Sequence, residues 1–416
     1  VLFSTTSSAD EVLLDDSSGL PEVKVESRSG YAKDKPSLAG RRSVVWKLLL
    51  DDLFIEDASR LPELDRSLQP YYEWKRRVRE RYGLQLGTDY NSLMQGASHS
   101  LSDTDTAAGG VYRLYGRWLN PDKEGDSGSL IFKIEYSHSY LDQIAPEELA
   151  GQIGYLGSTG TQFSDKKLVL NDFNWLQNFN KGNGAFVLGR YDVKDYMDVV
   201  DYADPWTTFQ NNNILENHSI AISDTSYGVG ASHWLGGQWV LLASVTDANG
   251  SLDDLAAFRY GAEFFSFLEV GWSPSTDTYD LKSIHLTLWH VDERTHDNIP
   301  EGKGVALGGS WTFDRRWLVF ARTGLSTGGA SNMRHSSTFG FNYLWREYFD
   351  GFGLAINYAE PSDESLRDQS TMEMFLRFQL SQNIAITPSF QLLLNPALNP
   401  QEDHIEVYGL RFRIAL

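Results

Sequence analysis

The 416-residue chain contains no cysteine, which excludes structural disulfides and thiolate metal sites. No stretch approaches the roughly 20 consecutive apolar residues that a membrane-crossing helix needs. Helical spans are thereby excluded, whereas a membrane β-barrel is not. Positive charge is scarce, with 36 Lys and Arg against 56 Asp and Glu for a net −20, and the acids gather in turn-like stretches between apolar runs. That balance speaks against nucleic acid as a partner. The histidines, His218, His233, His285, His290 and His296 among them, show no metal-ligand spacing. His285 and His290 lie five apart on one strand and so on opposite faces. No catalytic residue, metal site or cofactor is expected.

What is abundant is Gly, at 36 residues, and aromatic side chains, at 13 %. Residues 1–42 are rich in Ser, Asp, Glu and Gly without apolar periodicity, and read as a disordered or loosely ordered lead. Its first nine residues, Val-Leu-Phe-Ser-Thr-Thr-Ser-Ser-Ala, resemble the tail of a secretory signal without its basic region. Over 43–82 the spacing of Val45, Leu48, Leu49 and Phe54, then of Tyr71, Trp74 and Val78, predicts a helical segment. Asp51, Asp52, Glu56 and Asp57 on its first part face Lys75, Arg76, Arg77, Arg79 and Arg81 on its second. Two readings stay open there: helices pairing these charges, or a basic periplasmic arm that binds a partner.

From Gly83 to Leu416 the period becomes two, in segments of about ten residues separated by Gly, Asn, Asp and Pro. In the last segment Tyr408, Leu410, Phe412, Ile414 and Leu416 share one face and Val407, Gly409, Arg411, Arg413 and Ala415 the other. The same split separates Leu130, Phe132, Ile134 and Tyr136 from Lys133, Glu135 and Ser137, and Met372, Met374, Leu376, Phe378 and Leu380 from Glu373, Arg377 and Gln379. Aromatic residues near segment ends (Trp118, Tyr136, Tyr140, Trp234, Trp239, Trp272, Trp311, Trp317, Tyr343 and Trp345) suit girdles at two lipid–water interfaces.

The segments fall near 84–95, 110–120, 129–140, 168–178, 184–193, 226–235, 238–247, 258–272, 282–292, 303–313, 316–325, 333–345, 351–360, 370–381, 383–394 and 404–416. Their number, sixteen, is even, as closure of a bacterial barrel requires. The fold expected is all-β, a 16-stranded antiparallel transmembrane barrel over 83–416 with an N-terminal helical segment, in the outer membrane of a Gram-negative bacterium. Phe313-Asp314-Arg315-Arg316 and Ser381-Gln382-Asn383 read as periplasmic turns, and 141–167, 193–225 and 361–369 as loops outside or folded into the pore. Short and long connections do not alternate perfectly in this reading, so one or two register errors are expected.

Three stretches carry a family resemblance: Phe173-Asn174-Trp175-Leu176-Gln177-Asn178-Phe179 with Phe186-Val187-Leu188-Gly189-Arg190-Tyr191-Asp192; Phe320-Ala321-Arg322-Thr323-Gly324; and the C-terminal order of Ile386-Thr387-Pro388-Ser389-Phe390-Gln391, Asn395-Pro396, Asn399-Pro400 and Gly409-Leu410-Arg411-Phe412-Arg413. In these the chain resembles the carbohydrate-selective porins of the OprB type. The first forty residues have no counterpart there, and Leu416 stands where outer-membrane barrels usually end in an aromatic residue. The resemblance implies passive diffusion of mono- or oligosaccharides through an aqueous pore.

The charges in phase with the lumen are Arg113, Arg117, Lys133, Glu135, Arg190, Asp192, Arg259, Glu263, Glu269, Glu373, Arg377, Arg411 and Arg413, with Arg322 beside them. Both signs occur, and with Trp289 or Phe375 as stacking faces they suit neutral sugars, whereas rings of one sign would suit ions. Cross-strand pairing of these charges is the structural alternative. The stretch Val193 to Ile220, with Trp206, Phe209 and Asn211, is the candidate constriction loop, the alternative being an ordinary external loop. Expected partners are outer-membrane lipid and lipopolysaccharide, carbohydrate solutes, and a periplasmic protein at the N-terminal helices, in a monomer or trimer. Competing functions are a channel for acidic polysaccharide or dicarboxylates, a barrel enzyme, and a docking protein.

Overall fold

A computed structural model describes residues 3–4, 11–14, 25–31, 40, 42–55, 59–120, 126–200, 203–314, 316–346 and 350–416. Sixteen antiparallel strands close on themselves. In chain order they are β5 (Leu84–Ala97), β6 (Thr106–Asn120), β7 (Gly128–Ser139), β8 (Lys167–Phe179), β9 (Gly184–Tyr191), β10 (Ser226–Leu235), β11 (Trp239–Asp247), β12 (Phe264–Trp272), β13 (Lys282–Val291), β14 (Gly302–Phe313), β15 (Trp317–Thr327), β16 (Met333–Arg346), β17 (Asp350–Pro361), β18 (Gln369–Gln379), β19 (Ile384–Leu394) and β20 (His404–Ala415). Each pairs with its sequence neighbours, and β20 returns to β5 in a register running from Val407 opposite Ala97 to Ala415 opposite Asp89. Four short strands, β1 (Phe3–Ser4), β2 (Glu11–Leu14), β3 (Val25–Ser27) and β4 (Leu53–Ile55), form a separate small sheet. Part of the lead is therefore ordered into strands, while the remainder of residues 1–24, and with it most of the signal-like stretch, lies outside the described residues.

The sixteen expected strands are all present, and the largest shift is at β12, which begins at Phe264 rather than near 258. Phe258 and Tyr260 imitate alternation, but Phe258 has φ 51° and Gly261 φ 127°, a turning backbone that cannot join a ladder. The ladders shift register between Lys133 and Ile134 on β7 and, on β16, between Met333 and His335 and between Leu344 and Arg346. Connections 180–183, 236–238, 273–281 and 380–383 lie at one end, here the turn end, as do the C-terminal ends of β6, β14 and β16. The opposite, loop end carries 98–105, 140–166, 192–225, 248–263, 292–301, 328–332, 362–368 and 395–403.

Alternation is kept because each strand has two solvents. On β20, Tyr408 and Leu410 point outward and are exposed, whereas Val407, Arg411, Arg413 and Ala415 point inward and are buried. Trp118, Trp239, Trp317 and Trp345 are exposed on the outer face, all beside turn-end connections; Trp272 stacks on Trp311 with centroids 6.3 Å apart and Trp317 on Tyr343 at 4.4 Å. Trp234 departs from the expected girdle. It occupies the inward phase of β10, is buried, and packs edge-on against Tyr279 at 5.4 Å.

Among the described residues, three helices precede the barrel: α1 (Val44–Asp52), α2 (Pro62–Ser67) and α3 (Gln69–Tyr82). Helix α3 stops at Gly83, whose φ of 68° lets its N–H reach Arg79 O at 2.8 Å and turns the chain straight into β5. Two further short helices, α4 (Leu149–Ile153) and α5 (Asn212–Leu215), lie in loop-end connections.

The outward phase of β20 gives a first prediction. Leu410→Arg places a cation at the middle of a lipid-facing strand and should lower stability by ~2–4 kcal/mol, measured by urea unfolding in phospholipid vesicles. An unchanged midpoint would mean that this face does not meet lipid.

Candidate functional site

The lumen is filled from both ends. Helix α1 lies inside the barrel against β5, β6 and β7, its Val44, Val45 and Leu48 joining a buried cluster with Tyr115 and Ile131. Its apolar spacing was legible as a helix face; the surface that face covers is the inner wall. Asp51 receives Arg413 Nη2 at 2.8 and 2.9 Å and the Tyr115 hydroxyl at 2.5 Å. Arg413 also reaches Asp89 at 3.0 Å, and Asp89 accepts Arg113 Nε at 2.8 Å. Signs alternate along this chain of four, the arrangement that makes buried charge tolerable.

Lys47 forms an ion pair with Asp204 in the 192–225 connection. Higher still, Gly40 N–H donates to Asp195 O at 3.0 Å and Arg42 meets Glu216 at 3.2 Å. At the turn end, Gln382 Nε2 donates to Ile55 O at 2.7 Å and Arg28 Nη1 to Asn383 Oδ1 at 3.0 Å. Residues 40–55 thus run through the lumen from the loop-end side to the turn end. Among the described residues, Asp51 and Asp52 on the first helix do not pair with Lys75 on the second, because α1 is inside the barrel and α3 is not. Asp52 instead accepts from Ser27 Oγ at 2.6 Å and Ser29 N at 2.9 Å, and Lys75 sits 5.1 Å from the Tyr31 and Tyr72 rings, its ammonium brought down to about 8 by burial. Glu56 and Asp57 lie outside the described residues.

From the loop end, the 192–225 connection folds inward onto the barrel wall. Phe209 packs edge-on against Phe375 at 5.0 Å and Phe320 at 5.9 Å. Trp206 meets Phe163 at 5.5 Å under the Arg113 guanidinium at 3.9 Å. Backbone N–H groups of Gln210 and Asn211 donate to the two oxygens of Glu373 at 2.7 and 2.9 Å. Arg411 donates to Pro205 O at 2.7 Å and Thr208 O at 2.9 Å, and Arg322 to Ile214 O. A loop drawn into a barrel takes its backbone polar groups away from water, and these wall side chains replace the lost partners.

Above the fold-in lies a cavity of about 490 Å³. Arg42, Lys166, Lys194, Arg294 and Arg322 line it together with Glu135, Glu147, Asp198, Glu216 and Asp224, five of each sign, and among the described residues no Phe, Tyr or Trp lines it. Glu216 is clasped by Arg42 at 3.2 Å and Lys194 at 3.5 Å. Burial opposes its ionisation, but these two cations win and bring its carboxyl down to about 2. Burial pushes the His218 imidazole down from its ordinary range, against the pull of Glu216. Asn217, His218 and Arg322 line this cavity, and their Nδ2, Nε2 and Nε atoms are buried without a hydrogen-bond partner. A second cavity, about 600 Å³, lies among loop-end connections and is lined by Arg190, Asp254 and Arg259.

Of the expected pore-lining residues, Glu135 and Arg322 face the 490 Å³ cavity. Arg113, Glu373, Arg411 and Arg413 anchor the inserted segments. Glu269 does likewise, accepting Asp198 N–H at 2.8 Å and Thr287 Oγ1 at 2.6 Å. Lys133 pairs with Asp172 at 2.7 Å and Asp195 at 3.8 Å. Arg117 Nε donates to Ser129 Oγ at 2.9 Å, and Arg377 Nη2 to Gln379 Oε1 at 2.8 Å. Arg190 points into the wall of the 248–263 connection, donating to Ser251 O at 2.5 Å.

Three residues fall outside the lumen phase altogether. Asp192 lies past the end of β9 and caps Lys194 N–H at 3.0 Å. Arg259 and Glu263 precede β12 in a loop-end connection; Arg259 pairs with Asp254, and Glu263 accepts from Asn249 Nδ2 at 2.7 Å and Thr295 N at 3.1 Å. Trp289, stacked over Phe265 at 6.4 Å, and Phe375, against Phe209, are buried in ring packing and do not line the 490 Å³ cavity. Arg42, Asp51, Lys194, Asp198, Glu216 and His218 were missed because they lie in segments without strand period; the only available signal was the density of charge in 193–220.

Residues 308–416 match the family model described as carbohydrate-selective porin, OprB family, which bears out the resemblance read from the C-terminal motifs. Porin AaxA of Chlamydia pneumoniae is 23 % identical over 283 residues, covering 64 % of this chain and 63 % of that protein. Porin AaxA of Chlamydia trachomatis serovar L2 is 22 % identical over 313 residues, 70 % of this chain and 64 % of that protein. The matched part of the chain thus spans somewhat less than two thirds of these relatives. Among solved structures, the high-pH structure of Pseudomonas putida OprB superposes with a TM-score of 0.66 at 11 % identity, over 83 % of this chain and 97 % of that one. The barrel has the porin fold and is an outer-membrane protein.

The Glu216 clasp sets a pH dependence. Its folded value of about 2 lies below the ordinary ~4.3, so its contribution is complete above pH ~4.3 and is lost as pH falls through 2. Heat unfolding of the wild type and Glu216→Gln from pH 2 to 7 should show a wild-type advantage on the order of 1–3 kcal/mol at neutral pH that vanishes toward pH 2. An advantage independent of pH would remove the ion-pair account.

Proposed function

We propose that this protein is a passive outer-membrane channel for small neutral carbohydrates, entering at the loop end. The observation that carries this reading is the balanced lining of the 490 Å³ cavity, five cations against five anions, above a constriction built from the barrel's own connection. Paired charges offer many donors and acceptors to a polyhydroxyl solute while giving a net ion little advantage. The family whose model matches residues 308–416 is described as carbohydrate-selective, which supports the same class. A channel for acidic polysaccharide or dicarboxylates would need cations without their acids, and Glu216 stands directly between Arg42 and Lys194. The barrel converts nothing in this reading: solute moves down its gradient.

Single-channel conductance of the refolded chain in a planar bilayer tests the proposal. Stepwise channels blocked by neutral mono- or disaccharides and not by organic acids are expected; strong anion preference would transfer the assignment to acidic solutes, and absence of conductance would refute a pore.

The segment 40–52 narrows the pathway in this account, so loosening it should widen the channel. Lys47→Met combined with Asp51→Asn removes its ion pairs to Asp204 and Arg413 and should raise conductance several-fold in the same apparatus. Wild-type conductance in a folded double variant would place the pathway away from α1.

A further inference from the structure

Helix α3 carries a surface that neither the barrel nor the channel accounts for. Tyr72 and Lys75 are buried toward the protein. Tyr71, Trp74, Val78 and Tyr82 recur at helical spacing on a flank beside that buried side. Trp74 is 42 % exposed and Tyr82 58 %, and Tyr71 stacks on Trp74 at 5.8 Å. Arg77 and Arg81, both exposed, border this stripe, while the acids Glu73 and Glu80 occupy the other flank.

The stripe is continuous with the lipid-facing wall. Trp118, outward on β6 and 57 % exposed, donates its indole N–H to Tyr82 O at 3.0 Å. At the other end of the helix, Tyr71 lies within electrostatic reach of Tyr112, also outward on β6. Tyr72 accepts from Asn383 Nδ2 at 2.5 Å in the turn-end connection 380–383, which fixes the rotation of the helix and leaves the stripe pointing away from the pore. A Trp and two Tyr beside arginines, held at the rim of a lipid-facing wall, have the composition of an interfacial helix: rings at headgroup depth, guanidinium groups on phosphates.

We propose that α3 lies in the phospholipid headgroup layer at the turn end, with Trp74 and Tyr82 inserted and Arg77 and Arg81 on phosphate. The continuity with Trp118 favours lipid over a periplasmic protein, since a protein seated on this stripe would have to displace the bilayer edge that Trp118 already meets.

The absence of cysteine allows a direct test on the full-length barrel. Single spin labels at Trp74→Cys and, as a second position, Tyr82→Cys are placed in vesicles of phosphatidylethanolamine and phosphatidylglycerol, with Leu410→Cys as lipid reference and Asp403→Cys as water reference. Collision rates with oxygen and with a water-soluble nickel chelate are then measured. The expected result is nickel access several-fold below the Asp403 label with oxygen access retained at both α3 positions. Nickel access equal to the Asp403 label would put the helix in water, and shielding from both reagents would put it against protein; either overturns the proposal. Neither depends on whether the barrel conducts sugar.

Discussion

Every other feature depends on one constraint: inside lipid, a backbone N–H or C=O has no partner except another backbone group. Sixteen strands meet it by pairing in sequence order and closing β20 onto β5. Once the ladder is closed, the outer face must be apolar and the inner face is free to be polar, and the alternation along β20 follows from that division rather than from any intrinsic preference of its residues. The inner face then has its own problem. A lumen walled with arginine and carboxylate must be hydrated or filled, and here much of it is filled with the protein's own chain.

The filling follows a simple rule of exchange. The 192–225 connection and residues 40–55 each bring carbonyls, amides and charges out of water, and the wall supplies counterparts: Glu373 for two amides, Arg411 for two carbonyls, Arg413 for Asp51. Side chains that a reading of the strands alone assigns to the pore are thereby spent on holding the pore's contents. What remains for a solute is the cavity above, where the charges belong largely to connections and to Arg42.

The outer architecture was legible because lipid imposes a period-two demand on every strand, and that demand is written in adjacent residues. Strand ends were recovered closely, apart from β12, where Phe258 and Tyr260 keep the rhythm while the backbone at Phe258 turns left-handed. The interior was not legible in the same way. Arg413 finds Asp51, 362 residues away in sequence, and no periodicity connects them. Trp206, Phe209 and Asn211 stood out as candidates because apolar rings inside a long polar connection need a wall to pack on. Their partners Phe320 and Phe375, and the anchoring use of Glu373 and Arg411, required the coordinates.

The seam between the first and last strands is where this arrangement matters for assembly. Asp89 on β5 and Arg413 on β20 come into register only when the cylinder shuts, and Asp51 joins them there. The connection 192–225 likewise has no complete dock until strands from β6 to β20 stand together, since its anchors come from Arg113, Arg322, Glu373 and Arg411. Insertion of both segments is therefore a late event in biogenesis, and the helix that arrives last rivets the one joint at which an empty cylinder could unzip.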